Sequence, residues 1–139
     1  MKIRTDFVTN SSSSSFIIGL DSEVNKLDKV KEIIKDLIKS NDEDDIEVVL
    51  KHIDYDDILN SDIEKQYMLK MICNWIIRDN YSGEDIQEKI DTELIKLNEK
   101  ITKNKYKTLV YIETPSRYEG EILYNIITEL PNLIVLHQE

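Results

Sequence analysis

Thr108-Leu-Val-Tyr-Ile112, Thr114-Pro-Ser-Arg117, Tyr118–Leu130 and Leu133-Ile-Val-Leu136 succeed one another in the last third of a 139-residue chain. The pattern is apolar run, turn, amphipathic stretch, apolar run. Two short β-branched runs joined by a helix of this length predict a βαβ unit. Its strands are expected to lie parallel, because a helical crossover returns the chain to the same end of the sheet. Ser116 and Glu119 have the spacing of a capping box at the mouth of that helix.

The N-terminal stretch reads as a hairpin. Ile3, Thr5 and Phe7 alternate with Lys2, Arg4 and Asp6, as in a half-buried strand over Ile3–Val8. Asn10 and the serines from Ser11 to Ser15 have loop composition, and Phe16-Ile-Ile-Gly-Leu20 is a second apolar run. Gly19 inside it points to a bulge or a close backbone approach.

Lys2-Ile-Arg-Thr-Asp-Phe-Val-Thr-Asn-Ser-Ser-Ser-Ser-Ser-Phe16 resembles an N-terminal signature shared by small uncharacterised proteins of low-G+C bacteria and their phages. In that group an Arg, a Phe-Val pair, an Asn, a serine run and a Phe recur in this order. The resemblance covers the first 18 residues or so. It implies a mobile-element or accessory-gene setting, and it implies no activity.

Between the hairpin and the C-terminal unit the periodicity is helical. Asp21 or Ser22 is expected to cap a helix with the stripe Val24, Leu27, Val30, Ile34, Leu37 and Ile38. Ile46, Val49, Leu50 and Ile53 sit at helical spacing, while Ile46, Val48 and Leu50 alternate as a strand would; helix is the preferred reading. Ser61 with Glu64 forms a capping box opening the most apolar helix, which runs to about Arg78 with Ile63, Tyr67, Met68, Met71, Ile72, Trp75 and Ile76 on one broad face. Ser82 is expected to cap a further helix with a narrow seam of Ile86, Ile90, Leu94, Leu97 and Ile101, suited to one neighbour or to a second copy of the chain.

Composition sets the outer bounds. With 40% hydrophobic and 33% charged residues the chain is globular, and its length fits one domain over residues 1–139. No apolar run approaches the ~20 residues of a membrane span. Lys2 and Arg4 have no apolar segment behind them, so no secretory signal is expected. A single cysteine, Cys73, points to a reducing compartment, the cytoplasm. The net charge is −10, and residues 41–62 hold nine acids against one base, Lys51, so nine minus one leaves −8 in that segment. Direct nucleic-acid binding through phosphate neutralisation is therefore disfavoured, since it needs clustered Lys and Arg. A protein with a basic surface is the expected partner.

Four candidate sites follow. The acids Asp42, Glu43, Asp44, Asp45, Glu47, Asp54, Asp56 and Asp57 are placed to face a basic partner, in the manner of nucleic-acid phosphates; the competing reading is a solvated connector. The loop Glu113–Tyr118 would lie at the carboxyl end of a parallel strand, where Ser116 opens a helix and Arg117 supplies a donor fork for a small anion. No glycine fingerprint accompanies it, and Glu113 opposes phosphate. His52, Asp54 and Asp56 would share a face of an extended chain and hold a divalent metal; a helix there would separate them. The serine run would offer hydroxyls to an anion, although a plain turn explains it. Nucleophilic catalysis has no coherent residue set: His52 and His137 stand in unrelated settings, and Cys73 has no cation nearby in sequence.

The expectation is an α/β or α+β domain. A small mixed sheet, with an antiparallel N-terminal hairpin and a parallel C-terminal pair, packs on three to four helices in undetermined strand order. The expected function is a non-enzymatic acidic interaction module with no cofactor. The alternatives are a small-anion binder at 113–118 and a metal-dependent enzyme at His52, Asp54 and Asp56.

Overall fold

Phe16-Ile-Ile-Gly-Leu20 is apolar towards both faces of any sheet it joins, so it must be covered above and below and paired along both edges. The fold meets that demand by placing it at the centre. The computed structural model describes residues 14–114 and 117–138. In chain order the elements are β1 (Ser14–Leu20), α1 (Leu27–Leu37), α2 (Glu43–Lys51), a 3-10 turn (Tyr55–Asp57), β2 (Ile58–Leu59), α3 (Asp62–Asn80), α4 (Ile86–Lys103), β3 (Thr108–Thr114), α5 (Arg117–Ile127) and β4 (Leu133–Gln138). The sheet order is β2-β3-β1-β4, and every pairing is antiparallel.

This corrects the expected parallel pair. β3 and β4 run in the same direction, since each is antiparallel to β1, but β1 lies between them. Helix α5 therefore crosses over a strand that entered first. The architecture is mixed α+β, with an all-antiparallel sheet rather than a mixed one and five α-helices among the described residues rather than three to four. The expected strand Ile3–Val8 lies outside the described residues. Ser14 and Ser15, read as loop, belong to β1 and are buried.

Alternation along the strands divides the core in two. Phe16, Ile18, Leu20, Val110 and Ile112 pack on one face with Val30 and Ile34 of α1, Ile46, Val49 and Leu50 of α2, and Leu123, Ile126 and Ile127 of α5. Ile17, Leu109, Tyr111 and Ile134 pack on the other with Leu69, Ile72, Cys73 and Ile77 of α3 and Ile90 and Leu97 of α4. In the 45–53 segment the helical stripe prevails, because Ile46, Val49, Leu50 and Ile53 are all buried on one side. The seam on α4 is internal: Ile90 and Leu97 are buried, and Ile86, Leu94 and Ile101 pack against the same cluster.

Local capping departs from the sequence pattern in two places. The Ser61 box forms as expected, with Glu64 N–H donating to Ser61 Oγ at 3.1 Å and Ser61 N–H to Glu64 Oε1 at 3.3 Å. Helix α1, however, begins at Leu27, beyond Asp21 and Ser22. Thr108 holds that segment extended: its hydroxyl accepts from Val24 N–H at 2.9 Å and stands 2.8 Å from Ser22 O and 2.7 Å from Asn60 Oδ1. Helix α4 likewise starts at Ile86 rather than at Ser82, after Gly83 at φ 126°. Ile63 and Tyr67, expected on the buried face of α3, are exposed, because the core face of that helix runs through Met68, Leu69, Ile72, Cys73 and Ile77.

Candidate functional site

The acidic segment folds into α2 and the turn behind it. Burying Ile46, Val49 and Leu50 turns the remaining positions outward, so Asp42, Glu43, Asp44 and Glu47 are exposed and Asp45 is half-buried. Asp42 to Asp45 also sit where carboxylates complement the partial positive charge of a helix start. Behind α2, Asp54 and Asp56 are exposed on either side of Tyr55, which is itself 64% exposed. Asp57 leaves the row: it is buried at the end of the 3-10 turn, next to β2.

The one base in the segment is turned to other use. Lys51 Nζ pairs with Glu119 Oε2 of α5, and His52 Nε2 lies 2.9 Å from Glu119 Oε1. These two donors hold the Glu119 carboxyl below the usual carboxylate range, Lys51 having the larger effect. The contact joins the end of α2 to the first turn of α5. Among the described residues, Asp42, Glu43, Asp44, Asp45, Glu47 and Asp56 form no ion pair.

The other sequence candidates separate. His52 faces α5, while Asp54 and Asp56 face solvent, and no group of three or more His, Cys, Asp or Glu among the described residues is disposed to hold a metal ion. Ser116 lies outside the described residues, and Arg117 opens α5. Glu113, expected to oppose an anion, is buried on β3, and Glu119, expected as the capping-box partner of Ser116, pairs with Lys51 and His52 of α2. Of the serine run, Ser14 and Ser15 lie in the sheet and the rest lies outside the described residues.

Sequence reasoning missed a buried polar row on the α3 face of the sheet. Ser15 on β1 is paired in register with Glu113 on β3 and with His137 on β4, and all three are at most 7% exposed. Ser15 Oγ and Tyr111 Oη are 3.3 Å apart. Burial, reinforced by the Glu113 and Asp57 charges against the opposing Ser15 hydrogen bond, drives the Tyr111 phenol far above its ordinary range, so it stays neutral. Asp79 Oδ2, at the end of α3, stands 3.0 Å from His137 Nε2, and the Trp75 ring lies 6.1 Å from the imidazole. Hydroxyl, imidazole and carboxylate in sequence suggest acid–base chemistry. Their depth argues otherwise: Ser15 is buried and engaged with a neutral phenol, so the row serves to register three strands. The signal was present in the alternation Ser15/Ile17, Tyr111/Glu113 and Val135/His137, once the strands are known to be neighbours.

Comparison with protein-family models, with curated proteins and with solved structures finds no match to this chain. No helix among the described residues is long and apolar enough to cross a membrane.

Proposed function

We propose that this chain is a non-enzymatic interaction module whose acidic face on α2 and the Asp54–Asp56 turn binds a basic surface of a partner protein. The observation that carries this reading is the unneutralised charge itself. Six carboxylates gather there without an ion pair among the described residues, while the one local lysine is committed to Glu119. Such a face repels itself in the free protein and gains when a cationic surface covers it. Tyr55 adds what a purely solvated connector lacks, an exposed aromatic between two acids, the kind of side chain that anchors interfaces. Spaced carboxylates along a helix also imitate a run of phosphates, so a nucleic-acid-binding groove is one form the partner can take. A cytoplasmic setting accords with the buried, unpaired Cys73, and the N-terminal resemblance suggests an accessory or mobile-element gene.

The test is salt dependence at a defined location. Protein retained from a bacterial lysate is released as the salt rises from low to physiological ionic strength, where exposed charges become screened over about 8 Å. Tyr55→Ala weakens the same retention without changing net charge. Retention that ignores both salt and Tyr55 overturns the reading.

A further inference from the structure

Three lysines gather around one cleft of this acidic molecule. The start of α3, the end of α4 and the turn into β3 border an open cleft of about 400 Å³, whose lining includes Asp62, Lys65, Gln66, Asn98, Lys105 and Lys107. Three cations face one carboxylate there, in a chain of net charge −10. Among the described residues none of the three lysines forms an ion pair, although acids outnumber bases 28 to 18. The amides of Gln66 and Asn98 join across the two helices, with Gln66 Nε2 donating to Asn98 Oδ1 at 2.7 Å and Asn98 Nδ2 to Gln66 Oε1 at 3.2 Å. They give the cleft a polar wall fixed to both helices.

The turn that brings Lys105 to the cleft is strained in a way its sequence does not require. Lys105 has φ 57°, and it is the one non-glycine residue at positive φ among those described. A helix ending this way ordinarily places glycine or asparagine there, because a Cβ in the left-handed region costs roughly 1–2 kcal/mol. The geometry is held from several sides. Lys105 N–H donates to Thr102 O at 3.1 Å, Tyr106 N–H to Ile101 O at 3.1 Å, and Lys107 N–H to Leu20 O at 2.8 Å. Between the two lysines, Tyr106 turns inward against Gly19, so Lys105 and Lys107 flank a fixed point. Keeping a long cation at a glycine position is the kind of local cost associated with functional sites.

We infer that the cleft between α3, α4 and the 104–107 turn binds a small molecule carrying two or more phosphates. Lysine ammonium groups act as point charges for phosphate, and three of them around one cleft suit a diphosphate better than a single carboxylate. The protein's overall negative charge disfavours a long polyanion such as nucleic acid, which would extend beyond the basic patch. This site is independent of the acidic face on α2.

The experiment uses inorganic pyrophosphate as probe, titrated into isotopically labelled full-length protein at constant ionic strength, with inorganic phosphate and sulfate in parallel. The expected result is saturable movement of the backbone resonances of Lys65, Lys105, Tyr106 and Lys107, with pyrophosphate tighter than either single anion. Lys105→Gly separates function from structure: it relieves the left-handed strain, so the melting temperature holds or rises, while the affinity falls about tenfold, as loss of one good charge contact predicts. Lys107→Gln gives a second, independent loss. No saturable shift at millimolar pyrophosphate, shifts centred elsewhere, or a Lys105→Gly variant that binds as well as the parent overturns the proposal.

Discussion

Tyr106 lies against the bare backbone of Gly19, with ring carbons in the space where any Cβ would stand. The contact ties the turn after α4 to the central strand, and Asn132 closes the other side: Gly19 N–H donates to Asn132 O at 2.9 Å, and Asn132 Nδ2 to Gly19 O at 2.9 Å. Gly19→Ala should therefore destabilise the fold by about 1–3 kcal/mol, the usual range for overpacking. Urea denaturation followed by tryptophan fluorescence measures it. In a Tyr106→Ala background the same change should cost much less, since the two sites share the clash.

Tyr111→Phe removes a hydroxyl from the buried polar row and leaves Ser15 Oγ without that partner. The expected loss is about 1–3 kcal/mol, the cost of stranding a buried polar group. Equilibrium unfolding checks it. A change below measurement error would mean that the row does not bind the strands together.

Stability should fall in acid. Glu64 and Glu119 both have carboxyls held below their ordinary range, Glu64 chiefly by the backbone N–H groups of Ser61 and Asn60, Glu119 chiefly by Lys51 and then His52. A carboxyl depressed in the folded state contributes stability that is fully present above its unfolded value, about 4.3, and is lost as pH falls through the folded one. The urea midpoint should thus hold steady from neutral pH to about pH 5 and decline below it. Glu119→Gln should flatten part of that decline.

Cys73 should be inert while the protein is folded. Burial first, then the Glu93 charge, push its thiol up to about 11, and its side chain is fully enclosed under α3. A disulfide reagent at pH 8, below that value, should label it only at the rate of global opening, and at once in denaturant. Rapid labelling of the native protein would place the thiol at the surface.

The helices were largely legible in the chain, because each carries its stripe within one continuous segment. Ile46, Val49, Leu50 and Ile53 outweighed the competing strand alternation, and Ser61 with Glu64 announced the start of α3. The sheet was less so. β3 and β4 were visible as runs, but their separation by β1 depends on residues some ninety positions away. No local pattern records that one strand will be inserted between two others. Ser14 and Ser15 were misread for a related reason: serine is loop chemistry until a phenol such as Tyr111 stands opposite it. Asp57 belongs with its acidic neighbours by sequence, yet it alone of them is buried, at the turn into β2. The Lys65–Lys105–Lys107 cleft has no local signature, because Lys65 on α3 is far in sequence from the turn that carries Lys105 and Lys107.

The acidic face is tested most directly by capture from a bacterial lysate with three forms of the protein. One is the parent; one has Asp42, Glu43, Asp44, Asp45, Glu47, Asp54 and Asp56 changed to amides, with the buried Asp57 kept; one has the same number of exposed acids neutralised elsewhere, including Glu32, Glu84, Glu88, Glu99, Glu121 and Glu129. All three must be folded by circular dichroism. The account predicts a protein retained by the parent and by the control variant and lost from the α2 variant. Equal retention by all three, or equal loss from both variants, would contradict it and leave α2 a solvated helix.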